Sequence, residues 1–116
     1  MIRLKKVRRS TNSKRVEWTN APDVKKRAEN LISSANLSWV KTKDIYFFRS
    51  NNSKTRAFAR IWGLSRVWQM ALEQKPSYII EVVSERYDKL VEKQKDRVLL
   101  HELAHIPKNF SGALLP

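Results

Sequence analysis

The chain has 116 residues, 41% of them apolar, with no cysteine and a net charge of +13. This length predicts one domain with a single hydrophobic core. The absence of cysteine excludes disulfides and zinc-finger, iron–sulfur or thiol-nucleophile sites built from this chain alone. No apolar run suited to a signal peptide or a membrane span is present, so the sequence predicts a cytoplasmic protein.

Positive charge is concentrated in the first half of the chain. Residues 1–60 carry 16 Lys and Arg against 4 Asp and Glu, whereas residues 61–116 carry 8 against 7. Such an asymmetry suggests an anionic partner, nucleic acid among them, for residues 1–60. The alternative is a solvated basic arm that keeps a small protein soluble, and composition alone leaves both interpretations open.

Residues 1–18 are predicted to form a basic N-terminal arm, and residues 19–116 a single domain. The first predicted helix begins after Thr19 or Asn20, either of which could cap it, and ends near Asn36. Its apolar residues keep helical spacing. It is therefore expected to pack one face against the core.

Aromatic and β-branched residues predict a small sheet of three or four mainly antiparallel strands. The predicted strands lie near residues 15–18, 44–49, 57–62, 67–72 and 78–83, with a turn at 50–53. The fourth of these is ambiguous, because residues 64–74 also fit a helix.

The last predicted element is a long helix that begins between Ser84 and Glu92. It is expected to run to His105 or Ile106, because Pro107 pushes the residue before it out of the helical region. Its final turns are apolar on almost every side, which predicts burial. Histidines in these turns are therefore expected in the interior or on the floor of a cleft.

This helix carries the sequence "HELAH", with His101 and His105 one turn apart. On one helix face the two imidazoles can reach the same zinc ion, and Glu102 can handle the proton of a bound water without binding the metal. Such acid–base help contributes roughly 10²–10⁴ in rate. The alternative is two core histidines satisfied by hydrogen bonds, with Glu102 solvated.

Three segments resemble a family of small archaeal and phage metallopeptidases with a minimal zincin-like fold. They are "RAFARIWGLSRVWQMAL", "PSYIIEVVSERYDKL" and "VLLHELAHIPKNFSGALLP", and they cover roughly residues 55–116. The resemblance implies an α+β fold, zinc at His101 and His105, Glu102 as the general base, and hydrolysis of peptide bonds. A peptide or protein would be the substrate.

The third zinc ligand is not identified in this sequence. Catalytic zinc normally takes three protein ligands, yet residues 106–116 contain no His, Asp or Glu. The resemblance implies a histidine soon after the segment matching "SGALLP". We therefore expect either that the chain is truncated just before this ligand, or that the ligand comes from another chain, water or the upstream acids Glu81, Glu85 and Asp88. Two histidines alone should hold zinc weakly.

Two other functions remain open at this point. One is a non-enzymatic, basic nucleic-acid-binding module that uses residues 1–60, in which tryptophans beside arginines could stack on bases. Tryptophans in such positions are more often packing residues. The other is a catalytically inactive zincin-like scaffold. Oligomeric state, substrate and biological process do not follow from the sequence.

Overall fold

The computed structural model describes residues 15–116, so most of the predicted basic arm lies outside the described residues. Within them the chain forms an α+β fold of four helices and a four-stranded mixed sheet, which confirms the predicted class at this level. In chain order the elements are β1 (Glu17–Asn20), α1 (Pro22–Ser34), a 3₁₀ turn (Thr42–Asp44), β2 (Ile45–Asn51), β3 (Ala59–Gly63), α2 (Arg66–Leu72), β4 (Tyr78–Val83), α3 (Ser84–Tyr87) and α4 (Glu92–Leu103).

The strand order in the sheet is β1-β2-β4-β3, which places β1 and β3 at the edges. Both edge strands pair antiparallel with their neighbours, as predicted, whereas the central pair β2–β4 is parallel. β4 inserts between β2 and β3, which run in opposite directions. It must therefore be parallel to one of them and antiparallel to the other. The strands of the parallel pair are correspondingly rich in aromatic and β-branched residues.

The strand register divides the sheet into two unlike faces. One face packs on α1 and α4 around the core residues Ile45, Phe47, Ile80, Val82, Val24, Ala28, Leu99 and Leu103. The other face carries alternate residues of the same strands, including Phe48 and Glu81. Only the first face contributes to the main core of the described residues.

The predicted cap of the first helix is wrong. Ala21 occupies the N-cap position of α1 and makes no side-chain cap. Asn20 is not available because it belongs to β1, where it pairs with Phe48. The predicted stop at Asn36 is confirmed, since this residue has a φ of 56°, a left-handed conformation that cannot continue a helix.

The predicted strand near residues 67–72 is a helix instead, the alternative that the sequence left open. Residues 66–72 form α2, and Glu73 closes it with a φ of 52°. Its Met, Ala, Leu and Gln residues are good helix formers, and this local preference outweighs the valine and tryptophan that suggested a strand. Among the described helices, none combines the length and apolar character needed to cross a membrane.

Candidate metal centre

The "HELAH" segment lies at the C-terminal end of α4, where only one side of the helix is buried. Leu99, Leu103 and Ile106 are at most 1% exposed, whereas His101 is exposed and His105 is half-buried. The expectation of histidines in the protein interior is therefore wrong, whereas the alternative expectation, the floor of a cleft, agrees with His105, which lines an open cavity. Leu100 and Ala104 made these turns look apolar on every side, but neither is fully buried in the fold.

The two imidazoles are nevertheless neighbours. The α-helix ends at Leu103, two or three residues earlier than predicted, and the next turn is tighter, with the His105 N–H donating to the Glu102 carbonyl at 3.1 Å. The ring centres of His101 and His105 are 5.1 Å apart, and the ring planes are perpendicular. Two imidazoles that bind one zinc ion in tetrahedral geometry have ring centres about 5 Å apart, so this spacing fits a shared ion.

A backbone carbonyl fixes the ring of His105. Its Nδ1 lies 2.8 Å from the carbonyl oxygen of Leu115. Because a carbonyl oxygen only accepts, Nδ1 must carry the proton, which leaves Nε2 with a free lone pair in the neutral ring. Metal-binding histidines are commonly held by such a contact.

The carbonyl of Leu115 belongs to the C-terminal strap, which we define as residues 111–115. The buried hydroxyl of Tyr78 anchors this strap by accepting from the Gly112 N–H and donating to the Ala113 carbonyl, both at 2.8 Å. Gln69 of α2 donates to the Ser111 carbonyl at 2.8 Å. The Leu115 N–H returns to the His105 carbonyl at 2.7 Å. Tyr78 and Gln69 thereby hold the group that orients His105.

The two glycines of the chain lie where the strap meets the sheet edge. Gly112 has a φ of +95°, and a Cβ there would collide with the Gln69 side chain and the Leu64 carbonyl. A Cβ on Gly63 would collide with the Gly112 carbonyl. Both positions therefore require glycine for close approach of the backbone.

Glu102 lies between the two histidines in sequence but is far less exposed than His101. It is 9% exposed, and burial raises the pKa of its carboxyl, an effect that its attraction to His101 and His105 only partly opposes. No hydrogen bond from residues 15–116 contributes to this pKa. A carboxylate without fixed donors can still accept a proton.

An open cavity of about 420 Å³ adjoins these residues. Glu102 and His105 line one side, Leu114 and Leu115 of the strap line another, and residues 59–62 of β3 line the rest. Because consecutive β3 residues take part, the cavity follows the edge of this strand. An edge strand has backbone groups free to pair with an extended peptide.

Comparison with known proteins identifies the family. Residues 16–115 match the model of a family described as Putative phage metallopeptidase. The chain belongs to this family. The match confirms the resemblance noted in the sequence and extends it from roughly residues 55–116 to nearly the whole chain. Neither curated proteins nor solved structures gave a significant match.

The description of the putative phage metallopeptidase family implies a metal ion and a protein substrate. Within residues 15–116 the two histidines fit a shared ion, but no group of three His, Asp or Glu side chains is placed to hold one. The upstream candidates are engaged elsewhere: Glu81 pairs with Arg60, Glu85 accepts from the Asn52 N–H, and Asp88 pairs with Arg49. None of the three supplies the missing ligand.

Sequence reasoning missed the residues that position the site. The hydroxyl of Tyr78 makes both of its hydrogen bonds to the strap. Gln69 was not singled out at all. The sequence signal that could have found them is the pair of glycines, Gly63 and Gly112. In a chain with so few glycines, each indicates a place where the backbone approaches another segment closely.

Proposed function

We propose that the protein is a zinc-dependent metallopeptidase with a minimal zincin-like fold, in which His101 and His105 bind the metal and Glu102 is the general base. The observation that carries this proposal is the 5.1 Å separation of the two rings, with the Leu115 carbonyl holding one of them. Membership of the family supports the reaction class.

Each residue type has a distinct role in this proposal. His101 and His105 contribute neutral imidazole nitrogens as metal ligands. When bound, zinc polarises a carbonyl and makes water nucleophilic at neutral pH. Glu102 takes a proton from the attacking water and returns it to the leaving amine, and its raised pKa suits a group that must both accept and release a proton.

The substrate is proposed to be an extended peptide that adds to the outer edge of β3. The cavity along this edge leads to Glu102 and His105, so a strand-like substrate there would bring a backbone carbonyl toward them. Leu114 and Leu115 would cover the same cavity from the opposite side. This arrangement of edge strand and metal-bearing helix also supports the zincin-like assignment.

Zinc titration tests the metal assignment directly. We expect the 116-residue chain to bind zinc weakly and to retain less than one ion per chain after purification, because no third protein ligand is identified. His101→Ala and His105→Ala should each abolish the remaining binding, while Asn109→Ala, an exposed change just beyond the motif, should not. Isothermal titration with zinc and metal analysis provide the measurement.

Two outcomes would contradict the proposal. Zinc binding that persists in both histidine variants would place the metal elsewhere. Stoichiometric, tightly held zinc in a monomer would show a complete ligand set that the assignment lacks. Hydrolysis of an unstructured protein such as casein, measured with zinc in excess, then tests whether the bound metal supports peptidase activity.

A further inference from the structure

The sheet face opposite α1 and α4 carries a row of large apolar side chains. Each strand contributes one residue: Trp18 from β1, Phe48 from β2, Ile79 from β4 and Trp62 from β3. Together they line a shallow groove of about 430 Å³. Trp18 and Trp62 are 51% and 47% exposed. Within the described residues, none of the four belongs to the core. We call this row the aromatic face.

Trp62 is exposed but held in a fixed orientation. Its indole N–H donates to the buried carboxylate of Glu81 at 3.1 Å, and the Arg60 guanidinium lies 5.3 Å from the ring centre. Arg60 and Ser50 also donate to Glu81. Because the only polar group of the indole is satisfied internally, its open ring face is left for apolar or stacking contacts.

Exposed cations lie at both ends of the sheet. Because β2 and β4 run parallel, the residues before them share one end and the residues after them share the other. The exposed cations at these ends are Lys43 and Lys75 on one side and Arg15, Lys54 and Arg56 on the other, whereas Lys41 lies over the ring of the core residue Phe110. The segment that precedes Arg15 in the sequence adds six Lys and Arg and no acid.

This charge selects among the possible occupants of the face. A second copy of a chain with a net charge of +13 would be repelled, whereas a polyanion would be attracted. A polyanion that also offers flat apolar rings suits a row of tryptophans bordered by lysines and arginines. Single-stranded nucleic acid has both properties, whereas a duplex hides its base faces by stacking.

We propose that the aromatic face binds single-stranded nucleic acid, with bases stacked on Trp18 and Trp62 and phosphates contacted by the cations at the ends of the sheet. Trp18 and Trp62 lie on the two edge strands, three strand spacings apart across the sheet. Trp18 is level with Ser50 and Trp62 with Tyr46, four residues away along β2, so the two positions are about 19 Å apart. That distance accommodates several nucleotides across the sheet. Glu81 does not oppose this binding, because it is fully buried and paired with Arg60.

Fluorescence anisotropy with the full chain tests the proposal. The probes are labelled 12-nucleotide oligo-dT and oligo-U and a 12-base-pair duplex, titrated at low and rising salt. Trp18→Ala and Trp62→Ala should each weaken single-strand binding about ten-fold without changing its salt dependence. The matched control is Trp68→Ala, because Trp68 is 57% exposed on α2 but does not line the groove. It should change affinity less than two-fold.

Several outcomes would overturn the proposal. These are no binding at low salt, tighter binding of the duplex, or equal affinities for wild type, Trp18→Ala and Trp62→Ala. A dimer that Trp62→Ala dissociates in sedimentation would show that the face joins copies of the chain instead. Stronger binding of either single strand than of the duplex supports the proposal.

The folding of each variant is checked by circular dichroism. If Trp62→Ala does not fold, Trp18→Ala and Trp62→Phe carry the test, because phenylalanine keeps a stacking ring and should retain most of the affinity. These measurements involve neither zinc nor hydrolysis, so they stand whether or not the proposed peptidase function is correct.

Discussion

Two glutamates of the protein are buried, Glu81 and Glu102, and their surroundings shift their pKa values in opposite directions. Glu81, in the sheet, receives hydrogen bonds from Ser50, Arg60 and Trp62. Burial acts to raise the pKa of Glu81, but these donors outweigh it and hold the pKa below its usual value of 4.5. Glu102, at the end of α4, has no such donors among the described residues, and burial raises its pKa.

This difference separates a structural carboxylate from the one that we propose as the general base. A carboxylate surrounded by fixed donors is committed to its charged form and contributes to stability. A buried carboxylate without donors is costly to keep charged and therefore ready to take a proton. We expect substitutions at Glu81 to change the free energy of unfolding and substitutions at Glu102 to change activity.

The largest expected effect follows from Glu102→Gln. If Glu102 is the general base, kcat/KM for hydrolysis of a peptide substrate should fall by roughly 10²–10⁴, because the amide cannot accept the proton. Zinc affinity should be unchanged, and stability equal or slightly higher, since a buried charge is removed. The exposed change Glu29→Gln is the control. Activity that survives in Glu102→Gln would reject the assignment of the base.

Glu81→Ala, in contrast to Glu102→Gln, should mainly lower stability. It leaves Arg60, Ser50 and Trp62 without their acceptor, which should lower the free energy of unfolding by about 2–3 kcal/mol. This loss is at or below the low end of the range for breaking a buried ion pair, because the Arg60 side chain is 36% exposed. Urea denaturation measures it, with Glu29→Ala as the control. A change no larger than that of the control would remove the contrast with Glu102.

A pair of tyrosines tests whether the strap supports the candidate metal centre. Tyr78→Phe removes both hydrogen bonds to the strap, so we expect a loss of about 1–2 kcal/mol in stability and about ten-fold in zinc affinity. Tyr87→Phe is the matched control, since its buried hydroxyl has no partner among the described residues. It should leave zinc affinity unchanged. Equal zinc affinity in the two variants would show that the strap does not orient His105.

The smallest expected effect is on how the free energy of unfolding changes as the pH falls. The pKa of Glu81 is lower in the folded than in the unfolded chain, so its contribution is complete above pH 4.5 and is lost as the pH falls through the folded value. The pKa values of Asp23 and Asp88 are lowered by Arg49 and act in the same direction. Urea denaturation between pH 7 and pH 3 should show a weaker pH dependence for Glu81→Gln than for wild type. Identical pH profiles would contradict the role of Glu81.

Local patterns in the sequence determined α1 and α4, three of the four strands closely, and the candidate metal ligands. The strands near 44–49, 57–62 and 78–83 were predicted within two residues, because aromatic and β-branched runs between turn residues are a local signal. The motif was equally visible because His101, Glu102 and His105 are contiguous. Pro107 marked the end of α4 to within a turn, because proline restricts the residue directly before it and this effect is also local.

Only the tertiary structure decided what surrounds these residues. The mixed strand order brings Glu81 beside Arg60, two residues that are 21 positions apart, and buries the carboxylate of Glu81. The strap reaches His105 through Tyr78 and Gln69, which lie on separate elements. The exposure of His101 follows from how α4 packs. Burial, pairing and pKa depend on such contacts between distant segments, and no local pattern encodes them.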